Sequence, residues 1–387
     1  MRAPDSWVKG TDNPGRRCQH RRMNASLRWS ACWLVLLLSF VAACESTDEG
    51  TSRASSTATA TPSDLGDIDD IVAGVEEQLD VYSYSSTGIV VRVRVGGQAR
   101  TLVFGLASRE PRRRLRAGDT FQIASGTKMM AATVVLQAVA RGRLALDDTV
   151  DRWLPGLHDQ GGRATIEQLL SHRSGLHDYV QLVEAGHELE TPEQAIAEVP
   201  EPDFAAGQSG AYSNTNFLVL GLVVEKATGT PFAELLRRDV LGPAGMTHTA
   251  LFDVPGPGDT TTRGHTRDPD DDLPSVNFAG AAGGVVSTAG DLDRFWSALQ
   301  GGDLLPMDLV DRMTTSHGTL TDEQIDYGLG MMLRPTRCGT MVGHDGHIPG
   351  FHSEIWSLAG QDRSVVVLEN DDQAVGVHEI ARRALCP

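Results

Sequence analysis

Residues 120–128 read Thr-Phe-Gln-Ile-Ala-Ser-Gly-Thr-Lys, a strand-like run that leads directly into a helical pattern. Ser125 and Lys128 are three residues apart, so on a helix their side chains lie on one face, a turn apart. The serine oxygen is then close to the positive end of the helix dipole, and burial lowers the pKa of a lysine. This spacing predicts a serine nucleophile beside a lysine base. For the pair taken alone, the alternative is an N-cap serine with a solvated lysine.

Lysine is rare in this chain, and its rarity favours the first interpretation. Of the 34 basic residues only Lys9, Lys128 and Lys226 are lysine, and the other 31 are arginine. Arginine stays charged in proteins, whereas a buried lysine can be deprotonated. The chain therefore has one of its few lysines at the position where this chemistry needs a removable proton.

Two further motifs follow downstream. Tyr212-Ser213-Asn214 lies between a glycine-containing approach at 205–210 and the apolar helical pattern at 217–224. A tyrosine at such a junction can point into a cleft. His344-Asp345-Gly346 lies at the start of a strand-like run, where the glycine lets a substrate approach the backbone. The alternatives are a surface tyrosine in a turn and a structural histidine at a strand edge.

The three motifs, in this order, resemble those of the penicillin-recognising serine hydrolases, and specifically the D-alanyl-D-alanine carboxypeptidase and class C β-lactamase group. The pattern does not look like class A, with its S-D-N and K-T-G motifs. The likeness covers roughly residues 70–387 and continues between the motifs, at 144–155, 165–176, 212–217 and 287–292.

The resemblance implies a β-lactamase/transpeptidase-like fold of the α+β class (an α/β sandwich). In such a fold an antiparallel sheet is flanked by helices, and a mainly helical subdomain is inserted into it. The coarse sequence pattern agrees, because strand-like segments at 89–95, 101–106, 351–356 and 364–368 lie at the two ends of the domain. Helices are predicted over 71–79, from Ser125 to about Gly142, from Pro231, and over 374–385, and Thr165 with Gln168 predicts a capping box.

The resemblance also implies roles for the motif residues. Ser125 would form an acyl-enzyme, while Lys128 and Tyr212 would transfer its proton. The substrate-binding residues would be Asn214, His344, Asp345, Gly346 and His347. The backbone N–H groups of Ser125 and His347 would form the oxyanion hole.

The implied activity is that of an exported D-alanyl-D-alanine carboxypeptidase-like peptidase or a related amide or ester hydrolase. Its expected substrates are peptidoglycan stem peptides or small amides and esters, with β-lactams as ligands and with no cofactor or metal. A β-lactamase or an esterase of the same fold is the alternative. A non-catalytic lipoprotein that binds cell-wall peptide or penicillin is another, as is a metalloenzyme built on His344, His347 and His352.

Asp345 departs from the family pattern, which usually has a threonine in the middle of the third motif. An arginine slightly upstream usually helps to bind the terminal carboxylate of the substrate, and Arg334 and Arg337 are near. If Asp345 faces the cleft, it repels such a carboxylate. That departure leaves room for an esterase, an amidase or a peptidase acting on a neutral or cationic group.

The composition fits an exported globular enzyme. The 387 residues include 40% hydrophobic residues, enough for one large catalytic unit with a sizeable core. The formal net charge of −17, with no basic patch with interleaved aromatic residues after the leader, argues against a nucleic-acid partner.

Residues 1–43 are predicted to be a lipoprotein signal peptide. An apolar run of about 15 residues at 29–43 follows several arginines and has the length of a signal h-region rather than of a membrane span. It ends in Val41-Ala42-Ala43-Cys44, which resembles a lipobox, so we expect Cys44 to be lipidated on the extracytoplasmic face of the cell membrane. Met23 is a possible true start. The alternatives are a secretory signal, with a secreted protein, and an uncleaved signal anchor.

The segment 44–65 is rich in Ser, Thr and Ala without periodicity, which predicts a flexible tether before the hydrolase domain at 66–387. Of the five cysteines, Cys18 and Cys32 fall in the leader and Cys44 is the expected lipidation site. In an exported protein, the remaining Cys338 and Cys386 predict one disulfide, and the carboxypeptidase resemblance implies the same pair. Two free buried thiols are the alternative.

Overall fold

The computed structural model describes residues 66–81, 87–157, 161–252, 262–266, 279–371 and 376–387. The predicted signal peptide, Cys44 and the tether up to residue 65 lie outside the described residues. The helices are α1 (Ile68–Val81), α2 (Thr127–Ala140), α3 (Ile166–Leu170), α4 (Tyr179–Glu184), α5 (Pro192–Glu198), α6 (Thr215–Thr228), α7 (Phe232–Leu235), α8 (Gly280–Gly283), α9 (Ala289–Gln300), α10 (Met307–Met313) and α11 (Val377–Leu385). The strands are β1 (Gly88–Val95), β2 (Gln98–Ser108), β3 (Arg113–Arg114), β4 (Phe121–Gln122), β5 (Ala250–Leu251), β6 (Val285–Ser287), β7 (Thr319–Leu320), β8 (Ile325–Tyr327), β9 (Met332–Thr336), β10 (Gly339–Ile348), β11 (Phe351–Leu358) and β12 (Arg363–Glu369).

The main sheet has nine strands in the order β3-β2-β1-β12-β11-β10-β9-β8-β7, and its neighbouring strands are antiparallel. A second sheet has the order β4-β6-β5. The first three strands of the main sheet precede α2 in the chain and the last six follow α10, with a mainly helical stretch between them. The α+β prediction, with an antiparallel sheet and an inserted helical region, is therefore confirmed.

Both faces of the sheet are covered, because alternate residues of the central strands pack in different cores. Val91 of β1 and Val367 of β12 pack with the apolar residues of α1 and α11. Val90 and Val366, one position away on the same strands, belong to the core that includes α2, α6 and α9. This alternation follows from the period of two in a strand and makes the sheet the middle layer of the molecule.

The alternating pattern of β1 predicted a half-buried strand, with its arginines on a solvated face. In the structure, helix α9 covers the face that carries these arginines. Arg92 Nε and Arg94 Nε lie 2.7 Å and 2.6 Å from the carboxylate of Asp293 on α9, which is fully buried. The strand is thus covered on both sides, with the buried charge of Asp293 paired twice.

Two local predictions need correction. The helix predicted from Ser125 begins at Thr127, because residues 124–126 form a 3-10 turn before it. Pro231 occupies the N-cap of α7 rather than its first helical position. The capping box is present as predicted, with Gln168 N donating to Thr165 Oγ1 and Thr165 N donating to Gln168 Oε1.

The C-terminal helix is joined covalently to the sheet. Cys338, in the turn between β9 and β10, forms a disulfide with Cys386 just after α11, and their Cα atoms are 5.6 Å apart. Within the ranges given above, no helix is long and apolar enough to cross a membrane.

Candidate active site

Ser125 lies in the 3-10 turn that connects β4 to α2. The residue before it, Ala124, has φ of 47°, in the left-handed region that alanine rarely adopts. Such backbone strain is common at functional sites, where the surrounding structure maintains it. Here the carbonyl oxygen of Ile123 accepts a hydrogen bond from Ser353 Oγ at 2.9 Å, and this fixes the turn against β11.

The Lys128 side chain is fully buried in the first turn of α2 and donates three hydrogen bonds. Its Nζ lies 2.9 Å from Ser125 Oγ, 2.7 Å from Asn214 Oδ1 and 2.7 Å from the carbonyl oxygen of Ala282. Burial lowers the pKa of Lys128 to about 7, and the negative charges of Asp178 and Asp345 oppose this shift. The lysine can therefore exchange a proton near neutral pH.

Tyr212 and Asn214, from the segment that leads into α6, contact Ser125 and Lys128 respectively. The Tyr212 hydroxyl donates to Ser125 Oγ at 2.9 Å, so the serine oxygen lies between the lysine and the phenol. Burial, with the nearby Tyr327 phenol, raises the pKa of Tyr212 well above its usual value, which makes it a neutral donor at working pH. Lys128 is then the group of the cluster that can act as base.

Asp178 is a residue of this site that the motifs did not indicate. Its carboxylate accepts from Asn214 Nδ2 at 2.8 Å and from Asn214 N at 3.1 Å, so the amide oxygen of Asn214 turns toward Lys128. Asp178 also caps α4 by accepting from Val180 N. In the sequence, Asp178 is marked only by its position two residues after the motif-like stretch 165–176.

The third motif lies in the second half of β10, rather than at the start of a strand as predicted. His344 is fully buried, its Nε2 accepts from the Tyr327 hydroxyl at 2.9 Å, and its Nδ1 donates to the carbonyl oxygen of Asp345. Burial and the Lys128 charge lower the pKa of His344 to about 3, which leaves the imidazole neutral. Tyr327, at the end of β8, is another residue that sequence reasoning missed.

Gly346 brings the backbone of β10 against the nucleophile. A methyl group at this position would lie 2.3 Å from the carbonyl oxygen of Ile123 and 3.1 Å from the backbone nitrogen of Ser125. Only glycine lets the strand pass so near the turn. The next residue, His347, is the expected second oxyanion donor, and its side chain is exposed.

Asp345 is paired with an arginine. Arg334 Nη2 of β9 lies 3.0 Å from Asp345 Oδ2, and both side chains remain about one-third exposed, at 35% and 31%. Burial and the Glu354 carboxylate raise the pKa of Asp345, whereas Arg334 lowers it. The other arginine considered from the sequence, Arg337, donates to the carbonyl oxygen of Pro387. Both Arg334 and Arg337 therefore already have a hydrogen-bond partner.

The histidines considered as metal ligands do not form a metal site in the described part of the chain. His352 Nε2 lies 3.5 Å from Glu354, and the His347 and His352 ring centroids are 5.7 Å apart. No group of three histidine, cysteine or acidic residues in those ranges has a geometry that could bind a metal ion.

Comparison with known proteins gives consistent matches. The family model described as Beta-lactamase matches residues 68–385. The chain is 28% identical to Penicillin-binding protein 4* of Bacillus subtilis (strain 168) over 294 residues, which cover 70% of this chain and 65% of that protein. It is 27% identical to a D-aminopeptidase of Brucella anthropi over 314 residues, 76% of this chain and 57% of that one. The matches thus span less than two thirds of either relative.

Among solved structures, a D-stereospecific amidohydrolase from Streptomyces sp. is similar with a TM-score of 0.70 and 30% sequence identity. The similarity covers 81% of this chain and 98% of that chain. Because the family model matches most of the sequence and this structural relative is covered almost completely, the chain belongs to the β-lactamase family.

Proposed function

We propose that this protein hydrolyses amide or ester bonds of D-configured substrates whose leaving group carries no carboxylate. The observation that carries this proposal is the Arg334–Asp345 pair in the third motif. An arginine that already binds Asp345 is not available to a substrate carboxylate, and the aspartate repels one. The names of two relatives, a D-aminopeptidase and a D-stereospecific amidohydrolase, support the same substrate class.

The reaction proceeds through an acyl-enzyme. Lys128 Nζ, in its neutral form, accepts the proton of Ser125 as Oγ attacks the substrate carbonyl. The backbone N–H groups of Ser125 and His347 stabilise the oxyanion. The proton passes through Tyr212 to the leaving nitrogen or oxygen as its bond to the carbonyl carbon breaks. Water, deprotonated by the same cluster, then attacks the ester carbonyl, and the proton passes to Ser125 Oγ as its bond to the acyl carbon breaks.

The roles of Lys128, Tyr212 and Asn214 are supported by their positions. Both Lys128 Nζ and the Tyr212 hydroxyl lie 2.9 Å from Ser125 Oγ, within the distance that proton transfer requires. Asn214 is oriented by Asp178, so its amide is fixed before substrate arrives. Such preorganisation is typical of a catalytic site and argues against a protein that only binds cell-wall peptide.

A D-alanyl-D-alanine carboxypeptidase is the second candidate, since one relative is named as a penicillin-binding protein. Its substrate and the β-lactams both present a carboxylate beside the scissile bond. The two candidates therefore differ in one measurable property. A carboxylate on the leaving group should slow hydrolysis by the first and should not slow hydrolysis by the second.

The test compares substrates with and without a carboxylate on the leaving group, using residues 66–387. We expect D-alanine amide and D-alanine p-nitroanilide to be hydrolysed faster than an N-acyl-D-alanyl-D-alanine peptide, and Ser125→Ala to abolish all turnover. Intact-protein mass spectrometry with a penicillin should show slow acylation or none. Faster hydrolysis of the carboxylate-bearing peptide would reject the proposed substrate class while retaining the serine chemistry.

Replacing Asp345 directly tests whether the Arg334–Asp345 pair sets the substrate preference. Asp345→Thr and Asp345→Asn remove the negative charge and release Arg334, so we expect kcat/KM for the acylated dipeptide to rise by about tenfold or more, a change of about 1.4 kcal/mol in transition-state free energy. Asp311→Asn, an exposed acid on α10, is the matched control. An unchanged ratio between dipeptide and amide in both Asp345 variants would contradict the role of this residue.

We also propose that the enzyme acts outside the cytoplasm on a lipid anchor at Cys44. The support is the lipobox-like Val41-Ala42-Ala43-Cys44 after an apolar run with the length of a signal h-region. The disulfide between Cys338 and Cys386 is consistent with an oxidising compartment.

A further inference from the structure

His172 is a buried residue behind the active site whose backbone conformation is unfavourable. It follows α3, has φ of 55°, and its side chain is fully buried. A non-glycine residue in the left-handed region carries a conformational cost, which persists only where other interactions offset it. The contacts of the imidazole are the interactions that offset this cost.

The δ1 nitrogen of His172 accepts hydrogen bonds from the second motif and the helix that follows it. Ser213 N donates to it at 3.1 Å, and Asn216 Nδ2 lies 3.0 Å away. The Asn216 amide is oriented for this contact because its Oδ1 accepts from Ser174 Oγ at 2.5 Å. A nitrogen that accepts from a backbone N–H has no proton, so the neutral ring must be protonated on Nε2.

The ring of His172 also packs directly on the catalytic phenol. Its centroid lies 4.3 Å from that of Tyr212, with the planes 27° apart, and Tyr327 meets the imidazole edge-on at 4.6 Å. The carbonyl oxygen of His172 accepts from Ala211 N at 3.1 Å. One residue therefore contacts three consecutive positions, 211–213, by a backbone bond, a ring stack and a side-chain bond.

The charge state of the imidazole agrees with this geometry. Burial and the positive charge of Lys128 lower the pKa of His172 well below its usual value. Within the described residues, Nε2 has no hydrogen-bond partner. An imidazolium here would lose the bond from Ser213 and would place a second cation behind the Lys128–Tyr212 pair.

We propose that His172 is a positioning residue that, as the Nε2-protonated neutral imidazole, fixes the Tyr212 phenol against Ser125 Oγ. The inference rests on the proposed function, because it assigns His172 a role only through Tyr212. His172 itself touches neither substrate nor the reacting atoms.

A double-mutant cycle on the reaction of Ser125 with a fluorophosphonate tests this inference. This probe reacts with serine nucleophiles of any substrate specificity, and the rate is read by mass spectrometry. We expect His172→Gln, which removes the ring, and His172→Phe, which removes the acceptor, each to slow the reaction by about 10²-fold, the loss typical of a reacting group displaced by about 1 Å. In a Tyr212→Phe background the same changes should cause little further loss.

The controls separate a positioning role from a structural one. Leu176→Ala, a buried change in the same loop, should lower Tm without changing the rate of the folded protein. NMR of protein labelled with ¹⁵N-histidine should show the His172 δ1 nitrogen without a proton at neutral pH.

Three outcomes are decisive. Equal rate losses with and without the Tyr212→Phe substitution would reject positioning through Tyr212, and a proton on Nδ1 would reject the tautomer on which the inference rests. A wild-type protein that does not react at Ser125 would instead overturn the proposed serine chemistry.

Discussion

Lys128 shows how single residues decide the chemistry of this site. Complete burial favours the neutral amine and lowers its pKa to about 7, whereas the negative charges of Asp178 and Asp345 favour the ammonium form. Arginine could make comparable bonds but could not release a proton. The position of the lysine was predictable from S-x-x-K, but its bond to the carbonyl oxygen of Ala282 was not, because that residue lies 154 positions away in the chain.

The pH dependence of acylation follows from this pKa. A base acts only when it is unprotonated, so we expect the acylation rate to rise as pH increases through about 7 and to level off above it. Tyr212 does not ionise in this window, because its pKa is raised. The burst of p-nitrophenol from a p-nitrophenyl ester measures the profile.

The matched variant is Lys128→Arg, which keeps the charge and removes the base. We expect it to slow acylation by about 10²–10⁴-fold. A wild-type rate that stays constant from acid to alkaline pH would show that Lys128 is not the base.

At the scale of elements, the site depends on how closely strand β10 passes the turn that carries Ser125. Ser353 of β11 bonds to that turn, and Gly346 of β10 leaves no room for a side chain. The proposed oxyanion hole therefore needs two segments more than 200 residues apart in sequence to meet within a few ångströms. Local sequence pattern predicted the strands and the glycine but could not give the distance between them.

Gly346→Ala tests this contact. The added methyl group would lie 2.3 Å from the carbonyl oxygen of Ile123, so strand or turn must move and the two N–H donors must separate. We expect kcat to fall by about 10²–10³-fold, the effect typical of losing one oxyanion donor. Gly74→Ala on α1, where nothing lies within 4 Å, is the matched control. Normal turnover by a correctly folded Gly346→Ala protein would exclude the proposed oxyanion hole.

At the scale of the whole molecule, the sheet is the middle layer between two helical layers, and the turn that carries Ser125 lies on the side of α2 and α6. Helices α1 and α11 cover the opposite face, where the disulfide joins the end of the chain to the turn before β10. Arg92 and Arg94 bind Asp293, so even the charged face of β1 is covered. The alternation of Val and Arg in this strand predicted its buried valine face but not the cover over its arginines, because arginines paired with a carboxylate have the same sequence pattern as a solvated face.

The lipid anchor is a property of the whole chain and can be tested in cells. We expect a radiolabelled lipid precursor to mark the wild-type protein and not Cys44→Ala, and the wild-type protein to fractionate with membranes. Ser125→Ala should be labelled like the wild type, since catalysis is not required for lipidation. Equal labelling of wild type and Cys44→Ala would show that Cys44 is not the modified residue.

The sequence by itself determined strands at the two ends of the domain, several of the helices, the three motifs and the family resemblance, because periodicity, caps and short motifs are local properties of the chain. Only the tertiary structure decided what surrounds those motifs. Asp178 orients Asn214, Tyr327 binds His344, and Arg334 is engaged by Asp345. These contacts join side chains from separate segments, and their distances depend on how the segments pack. The proposed preference for substrates without a carboxylate rests on such a contact, because the effect of Asp345 depends on the cation beside it.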